Sequence, residues 1–439
     1  MTGTKRYCVI GGGRIGLPIS VRLCEEGSEV IVLEKDRERV SMINGGLAPF
    51  HEEGMEEGLR LSLGKGLISA TYDSDAIAKC NVIISAIGTG ISDDGVPEIE
   101  SIKSLVDLLS PNLKKGDLVI LKTTLPIGTT EEIASLLSDS SRLVLEEELF
   151  VAFSPERIVE GKAMQELRTL PKIVGGVGQK STELASEVMS VLGGRIIQVS
   201  DSKTAEMCKL MDNAYRMTRF GFSSDVALVS SINGVDAFEA IRAANLDYPR
   251  NSIPLPSVGV SGYCLSKDPY YLEASGRGIW EERGFHSTWV NARISADYQL
   301  RVAIDALRSK LGSFDGATVV VGGLTYKENV DDTRDSHGMD IAERLSAENA
   351  IVRVWEPNIK SAVDVPFENF DSHDSLIGAD ALIITVPHDQ FIEWSKYPEG
   401  VSKMKRKIIF DGWGIIGEGF PEDAIVMGTG RYIPGMNSW

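Results

Sequence analysis

Short apolar runs alternate with amphipathic, helix-like stretches along most of the chain. In the first half, the apolar runs at residues 7–10, 29–33, 81–87, 117–121 and 149–153 are predicted β-strands. Their apolar character, strongest at 81–87, is typical of parallel strands that are buried on both faces. Helix-like stretches lie between them, such as the one from Leu17 to Glu26. The pattern therefore predicts a doubly wound parallel sheet.

The pattern changes to long helix from about Thr204, where the apolar spacing stays near-helical as far as Ile232. A second helical run is predicted from about residue 269 to 311. Strands then return at 317–321, 351–355, 381–386 and 407–411, with a helix at about 338–348. We predict an α/β fold class, in which a long-helix central domain joins two Rossmann-like doubly wound domains. The predicted domains are residues 1–200, 201–312 and 313–439.

The first strand is followed by a glycine-rich turn, Gly11-Gly12-Gly13-Arg14-Ile15-Gly16. Gly-x-Gly-x-x-Gly between a strand and a helix predicts a dinucleotide site, with Gly11 for the tight turn, Gly13 for the approach of the pyrophosphate and Gly16 for helix packing. Glu34 ends the next strand, where it would accept from a ribose 2′-OH and repel a 2′-phosphate, which favours NAD over NADP. The later loop at Gly322-Gly323 lacks the third spaced glycine, so we expect that domain to bind a different nucleotide.

Polar residues follow several of the predicted strands, at the edge where open parallel sheets bind ligands. Thr89 and Thr124 follow two of them. Nearby threonines also fit helix capping before Glu131, and both roles remain open. Glu156 and Glu160 are predicted to lie on one side of a single turn, with a solvated charged loop as the alternative.

Cys264 lies between a Gly/Ser-rich approach and the pair Lys267-Asp268. A neighbouring cation favours the reactive thiolate, whereas a half-buried structural cysteine is the plainer interpretation. Lys209 and Asn213 are four residues apart and share one face of the long helix. Their apolar neighbours suggest a site or an interface rather than open solvent.

The composition narrows the possible functions of this 439-residue chain, which is long enough for two or three domains. The net charge of −18 argues against nucleic acid as a partner. The five cysteines are scattered without a CxxC pair, so we expect neither a disulfide framework nor a metal site. The N-terminal residues do not resemble a signal peptide, and no apolar run approaches the ~18 residues of a membrane helix. We therefore expect a cytoplasmic protein without a membrane partner.

Seven motifs in order resemble the UDP-glucose/GDP-mannose dehydrogenase family from residue 7 to about 412. They are Gly11–Gly16, Asn44–Pro49 with Glu52/Glu53, Lys122–Pro126, Ser154–Gly161, Lys209–Arg216, Gly262-x-Cys264-Leu-x-Lys-Asp268-Pro, and Leu324–Lys327 with Asp332-Thr-Arg334. The resemblance implies an N-terminal NAD domain, a central helical domain that forms a homodimer, and a C-terminal UDP-sugar domain. It also implies the NAD-dependent four-electron oxidation of a sugar-nucleotide C6 alcohol to a carboxylate.

The resemblance assigns roles to residues of this chain. Cys264 matches the nucleophile, with Lys209, Asn213, Asp268, Glu156 and Thr124 as the polar catalytic set. The cofactor contacts would be Gly11, Gly13, Arg14, Ile15, Gly16, Glu34, Arg39, Thr89, Thr124 and Arg334. The substrate contacts would be Glu156, Arg157, Glu160, Lys209, Asn213, Arg216, Arg250, Gly262, Tyr326 and Lys327.

The sugar is less clearly defined than the reaction. Asn213–Arg216 and Tyr248–Arg250 look like the UDP-N-acetylhexosamine branch, and UDP-N-acetylmannosamine is the expected substrate. Ser261 and Ser266 depart from the family pattern, as does Trp413, which stands where the family has arginine. The alternatives are UDP-glucose or GDP-mannose oxidation and, in a different class, a two-electron β-hydroxyacid dehydrogenase.

Overall fold

The computed structural model describes residues 5–92, 95–359, 365–417 and 419–431. The chain divides into two compact units, Met1–Asp212 with Tyr270–Ile279 and Asn213–Pro269 with Trp280–Trp439. Each unit contains one large β-sheet. Among the described residues, no helix has the length and apolarity that crossing a membrane requires.

The first unit begins with a β/α alternation that follows the predicted strands closely. Its elements are β1 (Arg6–Ile10), α1 (Gly16–Glu25), β2 (Glu29–Leu33), α2 (Arg37–Asn44), α3 (Met55–Gly64), β3 (Ile68–Thr71), β4 (Val82–Ser85), β5 (Gly90–Ile91), β6 (Pro97–Glu98), α4 (Glu100–Leu109), β7 (Asp117–Leu121), α5 (Thr129–Ser141), β8 (Leu149–Phe153), α6 (Ala163–Thr169), β9 (Lys172–Gly176), α7 (Gln179–Ser190) and β10 (Ile196–Gln198).

Eight strands form the first sheet in the order β10-β9-β8-β7-β4-β1-β2-β3. All neighbouring pairs are parallel except β8 with β9. The central strands alternate their side chains between two apolar clusters: Val9 belongs to one cluster, and Cys8 and Ile10 belong to the other. The sheet is therefore buried on both faces, which explains why its strands are almost wholly apolar.

The long helix continues from the first unit into the second. The helices that follow β10 are α8 (Ser202–Asn233), α9 (Ala237–Asn245), α10 (Tyr263–Ala274), α11 (Arg277–Arg283) and α12 (Thr288–Leu311). The predicted long helix is confirmed. The predicted single run from residue 269 to 311 is wrong, because the structure has three helices there and the first begins at Tyr263. Pro269 lies inside α10 rather than at its start.

The second unit repeats the β/α alternation with β11 (Thr318–Gly322), α13 (His337–Ala347), β12 (Ile351–Trp355), β13 (Glu368–Phe370), β14 (Ala381–Ile384), α14 (Asp389–Lys396), β15 (Ile408–Asp411) and β16 (Ile425–Gly428). Its six parallel strands have the order β13-β12-β11-β14-β15-β16. This order is the doubly wound 3-2-1-4-5-6 arrangement. The predicted fold class is confirmed.

In both sheets, the turn between the first strand and the following helix depends on two glycines. Gly11 and Gly323 begin these turns with φ angles of +100° and +99°, a region that favours glycine. A Cβ atom on Gly16 would overlap the carbonyl oxygen of Gly11, and one on Gly338 would overlap that of Gly323. Gly338 thus fills the packing position of Gly16, although the second turn is ten residues longer. The second loop has no third glycine at the dinucleotide spacing, but Gly338 makes the same close approach from further along the chain.

Gly16→Ala and Gly338→Ala are expected to destabilise their units by about 1–3 kcal/mol each, because the added methyl group meets backbone that cannot move aside. Gly13→Ala is the matched control, since a Cβ there meets no heavy atom within 4 Å. Calorimetric unfolding of the three variants measures the difference. Equal unfolding temperatures for Gly16→Ala and Gly13→Ala would contradict the packing argument.

Candidate active site

The glycine-rich turn of the first unit presents backbone donors at the start of α1. Ile15 occupies the N-cap position, and no side chain of the described residues caps this helix. A side chain on Gly13 would point into open space, so a ligand can approach the backbone there. Uncapped N–H groups and the positive end of the helix dipole suit a pyrophosphate. The residues at this turn therefore fit a dinucleotide.

The carboxylate of Glu34 is hydrogen-bonded to the backbone of the glycine-rich turn. One oxygen accepts from the N–H of Gly12 at 2.8 Å and the other from that of Asp36 at 3.0 Å. The side chain is buried, but each carboxylate oxygen keeps a further lone pair for a ribose hydroxyl. Arg39 lies nearby on α2, with its Nε 3.8 Å from the Asp36 carboxylate.

Two of the predicted threonines meet at the carboxyl edge of the first sheet. Thr89 Oγ1 donates to the carbonyl oxygen of Thr124 at 3.0 Å, and both residues are buried. The loops after β4 and β7 are thereby joined at the edge where open parallel sheets bind ligands.

Glu156 is a buried, ion-paired carboxylate. Its Oε2 lies 3.2 Å from Lys122 Nζ, and its Oε1 accepts from the N–H groups of Arg157 and Ile158 at 2.7 and 3.1 Å. Burial alone would raise the pKa of Glu156, but Lys122 and the two N–H groups outweigh it and the pKa is lowered. Burial also lowers the pKa of the neighbouring Lys172 to about 8, although the Glu156 charge opposes that shift. Glu156 is therefore an ionised acceptor rather than a proton donor.

Glu160 and Glu156 have different partners. The prediction that they share one side of a turn is wrong, because residues 154–159 have no regular structure. Glu160 Oε2 lies 3.5 Å from Arg14 Nη1, which links this loop to the glycine-rich turn. Arg157 pairs instead with Asp212, at 3.2 Å between Nε and Oδ2.

Cys264 is exposed in the second unit, in the first turn of α10. A thiolate in that position is favoured by the positive end of the helix dipole. Gly262 precedes it with a φ of +104°, and a Cβ there would lie 2.7 Å from the ring of Tyr326. The glycine therefore allows Tyr326 to pack directly against the backbone beside the cysteine.

Asp268 is fully buried one turn after Cys264 and joins two other polar residues. Its Oδ2 accepts from Asn213 Nδ2 at 2.6 Å, and its Oδ1 lies 3.0 Å from Lys267 Nζ. Two of the predicted catalytic residues, Asn213 and Asp268, are thus brought into direct contact. Asp268 fixes the orientation of the Asn213 amide, which retains a second N–H for another acceptor.

Two cations lie near the ring of Tyr263. Lys267 Nζ lies 5.1 Å and Arg334 Cζ 5.5 Å from the centre of its ring, within cation–π range. Burial raises the pKa of Tyr263 even though both cations oppose that shift, so the phenol stays protonated. Arg334 also donates to the Asp332 carboxylate from Nε at 2.9 Å.

The other predicted site residues have varied surroundings. Lys209 is half-buried one turn before Asn213 on α8, and Arg216 is exposed one turn after it.

The predicted substrate residues of the loops have local partners. Arg250 donates to the Tyr248 hydroxyl at 2.8 Å. The Tyr326 N–H donates to the Asp332 carbonyl at 2.9 Å, and the carbonyl of Lys327 accepts from Thr325 Oγ1 at 2.8 Å.

Family models match three successive stretches of the chain. The description of all three is UDP-glucose/GDP-mannose dehydrogenase family: the NAD binding domain matches residues 5–192, the central domain 203–292 and the UDP binding domain 320–418. A UDP-N-acetyl-D-mannosamine dehydrogenase from Pyrococcus horikoshii is 33% identical over 436 residues, which cover 97% of this chain and 99% of that protein. The chain belongs to the UDP-glucose/GDP-mannose dehydrogenase family.

Further similarities extend over nearly the whole dehydrogenase. A solved structure of the UDP-D-ManNAc dehydrogenase from Pyrococcus horikoshii has a TM-score of 0.88 and 31% identity, and the match covers 97% of this chain and 99% of that one. An NDP-N-acetyl-D-galactosaminuronic acid dehydrogenase from Ralstonia nicotianae is 30% identical over 400 residues, 88% of this chain and 92% of that protein. The chain is an NAD-dependent UDP-sugar dehydrogenase.

Two buried charges of the dehydrogenase are missing from the predicted site residues. Lys122 directly follows the apolar strand β7, and Glu356 directly follows β12. Glu356 Oε2 accepts from the Leu324 N–H at 2.7 Å, as Glu34 does from the N–H of Gly12. Both residues could have been identified from the sequence, because each is a charged residue immediately after an apolar strand. A charge at the low-dielectric edge of a sheet requires a partner.

Lys267→Met is expected to lower the free energy of unfolding of the dehydrogenase by about 3 kcal/mol, because it leaves the Asp268 charge buried without its cation. Lys396→Met is the control, since the Lys396–Glu393 pair is exposed and its loss should cost less than about 1 kcal/mol. Chemical denaturation measures both. Similar effects for the two variants would show that the Lys267–Asp268 pair is not a stabilising interaction.

Proposed function

We propose that this dehydrogenase oxidises the C6 alcohol of UDP-N-acetyl-D-mannosamine to the uronic acid through a covalent bond to Cys264. The observation that carries the proposal is the exposed thiol in the first turn of α10, one turn before the buried group of Lys267, Asp268 and Asn213. The substrate assignment is supported by the Pyrococcus horikoshii relative, whose name specifies UDP-N-acetyl-D-mannosamine.

The proposed chemistry has two oxidations and one hydrolysis. The alcohol is first oxidised to the aldehyde, and the Cys264 thiolate adds to the aldehyde carbon to form a thiohemiacetal. Loss of a hydride from that carbon and a proton from its hydroxyl leaves a thioester. Water then cleaves the carbon–sulfur bond, which releases the carboxylate and restores the thiol. An enzyme that stops at a ketone or an aldehyde has no need of the cysteine.

Two NAD molecules, bound one after the other, would each accept one hydride, and the residues that would hold them are the Gly11–Gly16 turn, Glu34 and Arg39. The second N–H of Asn213 would stabilise the negative charge that develops on the sugar C6 oxygen while C6 is bonded to Cys264. The remaining proposed roles follow from the resemblance: Lys209 as an oxyanion donor, Thr124 as a water ligand and Glu156 as the acceptor that assists hydrolysis. An ionised Glu156 suits that last role.

A second substrate is supported by a specific comparison. The Ralstonia nicotianae relative is named for an N-acetyl-D-galactosaminuronic acid, which also carries an N-acetyl group. Both relatives support an N-acetylhexosamine over glucose or mannose. A panel of UDP- and GDP-sugars, followed by NADH absorbance, distinguishes the four substrates, and a reaction with GDP-mannose alone would contradict the assignment.

We also propose that the dehydrogenase is a cytoplasmic homodimer held together by α8. Tyr215, Phe222, Val229 and Ile232 form one stripe of this helix at helical spacing, and all four are exposed. A contiguous exposed apolar stripe of this kind suits a protein interface.

The cytoplasmic location is supported by the cysteines. The scattered thiols, none of which forms a disulfide, suit a reducing compartment.

Cys264→Ser is expected to abolish uronic acid formation, because a serine hydroxyl is a far weaker nucleophile toward the aldehyde than a thiolate. The wild type should produce two NADH per sugar, measured by absorbance and by mass spectrometry of the product. Cys208→Ser is the control, since this half-buried thiol has no proposed role in the chemistry. Full activity of the Cys264 variant, or one NADH per sugar in the wild type, would refute the covalent mechanism.

Phe222→Glu with Val229→Glu is expected to halve the molar mass, because two buried charges per subunit would oppose association. Light scattering after size-exclusion chromatography measures the mass. Tyr397→Glu is the control, an exposed aromatic residue outside α8 whose replacement should leave the mass unchanged. A monomeric wild-type protein would contradict the proposed homodimer.

A further inference from the structure

The backbone that leads to Cys264 is attached to two other segments of the second unit. Arg293 Nη1, on α12, donates to the Val260 carbonyl at 2.6 Å. The Gly262 N–H donates to the Asp335 carbonyl at 3.0 Å. Between these contacts, Ser261 Oγ accepts from the His337 N–H at 3.0 Å. Three successive residues before the cysteine are therefore held by side chains or backbone far away in the sequence.

Asp335 also holds the first turn of α10 on the other side of the cysteine. Its Oδ2 accepts from Ser266 Oγ at 3.0 Å, and the Ser266 N–H donates to the Gly262 carbonyl at 3.1 Å as the first hydrogen bond of the helix. Asp335 has a φ of +49°, a conformation that aspartate tolerates better than most residues. One residue thus contacts the chain both two positions before and two positions after Cys264.

Arg293 is itself fixed, so its contact with Val260 is not that of a mobile surface side chain. It is buried, and its Nε donates to Asp297 Oδ2 at 2.9 Å. Nη2 lies 3.4 Å from His337 Nε2. Burial lowers the pKa of His337 although Asp297 opposes that shift, so Arg293 does not face a second cation. Gly259 completes the arrangement, because a Cβ there would overlap the His337 ring.

We propose that Arg293 and Asp335 are positioning residues for Cys264, acting through Val260, Gly262 and Ser266. They determine where α10 begins and so keep the thiol in its first turn, where the helix dipole favours the thiolate. This inference rests on the proposed function of Cys264 as the nucleophile. It also explains the two serines that depart from the family pattern. Ser261 accepts from the His337 N–H, and Ser266 donates to the Asp335 carboxylate, so both connect the chain around Cys264 to residues 335–337.

The test measures how fast iodoacetamide alkylates Cys264 between pH 6 and 9, by peptide mass spectrometry of the protein without added ligands. Ser266→Ala and Arg293→Met are each expected to slow the reaction of Cys264 about tenfold near neutral pH, because each variant removes one hydrogen bond that a charged group makes with residues 260–266. The alkylation of Cys208 in the same samples should be unchanged. Arg293→Lys retains the charge and is expected to restore part of the rate.

Ser309→Ala is the matched control for Ser266→Ala, since Ser309 donates only to the Ala306 carbonyl within α12. Should Arg293→Met fail to fold, Ser266→Ala still tests the proposal, because it removes a single partly exposed hydroxyl group. The positioning variants should lower kcat more than they raise the KM for the sugar nucleotide.

Two outcomes separate this inference from the proposed function. Unchanged alkylation rates in Ser266→Ala and Arg293→Met, together with an inactive Cys264→Ser, would overturn the positioning role and leave the nucleophile intact. Slowed alkylation together with a fully active Cys264→Ser would uphold the positioning role and refute the nucleophile.

Discussion

The close approach of a helix to the strand before it is the constraint on which both nucleotide-binding folds depend. In each unit a glycine begins the turn and a second glycine allows the helix to contact the first glycine's carbonyl group. An acid from the neighbouring strand, Glu34 or Glu356, then accepts from the backbone of the turn. With the helix seated in this way, its N-terminus and the strand ends face the same edge of the sheet. The ligand-binding groups of each unit follow from that placement.

Two buried acids, one in each unit, are held by named partners. Glu156 has Lys122 and two N–H groups, whereas Asp268 has Lys267 and Asn213. A carboxylate with such partners serves as an acceptor or as an orienting group, because releasing it from the cation would be costly. Proton donation and nucleophilic attack must therefore come from other groups, and the exposed thiol of Cys264 is the nucleophile that we propose.

Much of the fold follows from the sequence because buried parallel strands have a distinctive composition. The apolar runs before Gly11 and Gly323 predicted both sheets, and the spacing after Thr204 predicted the long helix. The start of α10 was harder, since Pro269 suggests a helix start and the structure places it inside the helix. Gly338 was missed because the turn is longer than the dinucleotide pattern allows. The partners of Glu156 and Glu160 depend on long-range contacts that no local pattern contains.

The unequal length of the two turns has an evolutionary consequence. A duplicated ancestral unit would keep its two glycines and its strand-end acid, since each is required by contacts within the core of that unit. The residues between Gly323 and Gly338 that are partly or fully exposed carry no such requirement, and they include Tyr326, Lys327 and Asp335. Insertions there change what the loop touches while the sheet and α13 stay in place. Loop length is thus a variable through which a new ligand preference can arise while the two glycines and the strand-end acid are kept.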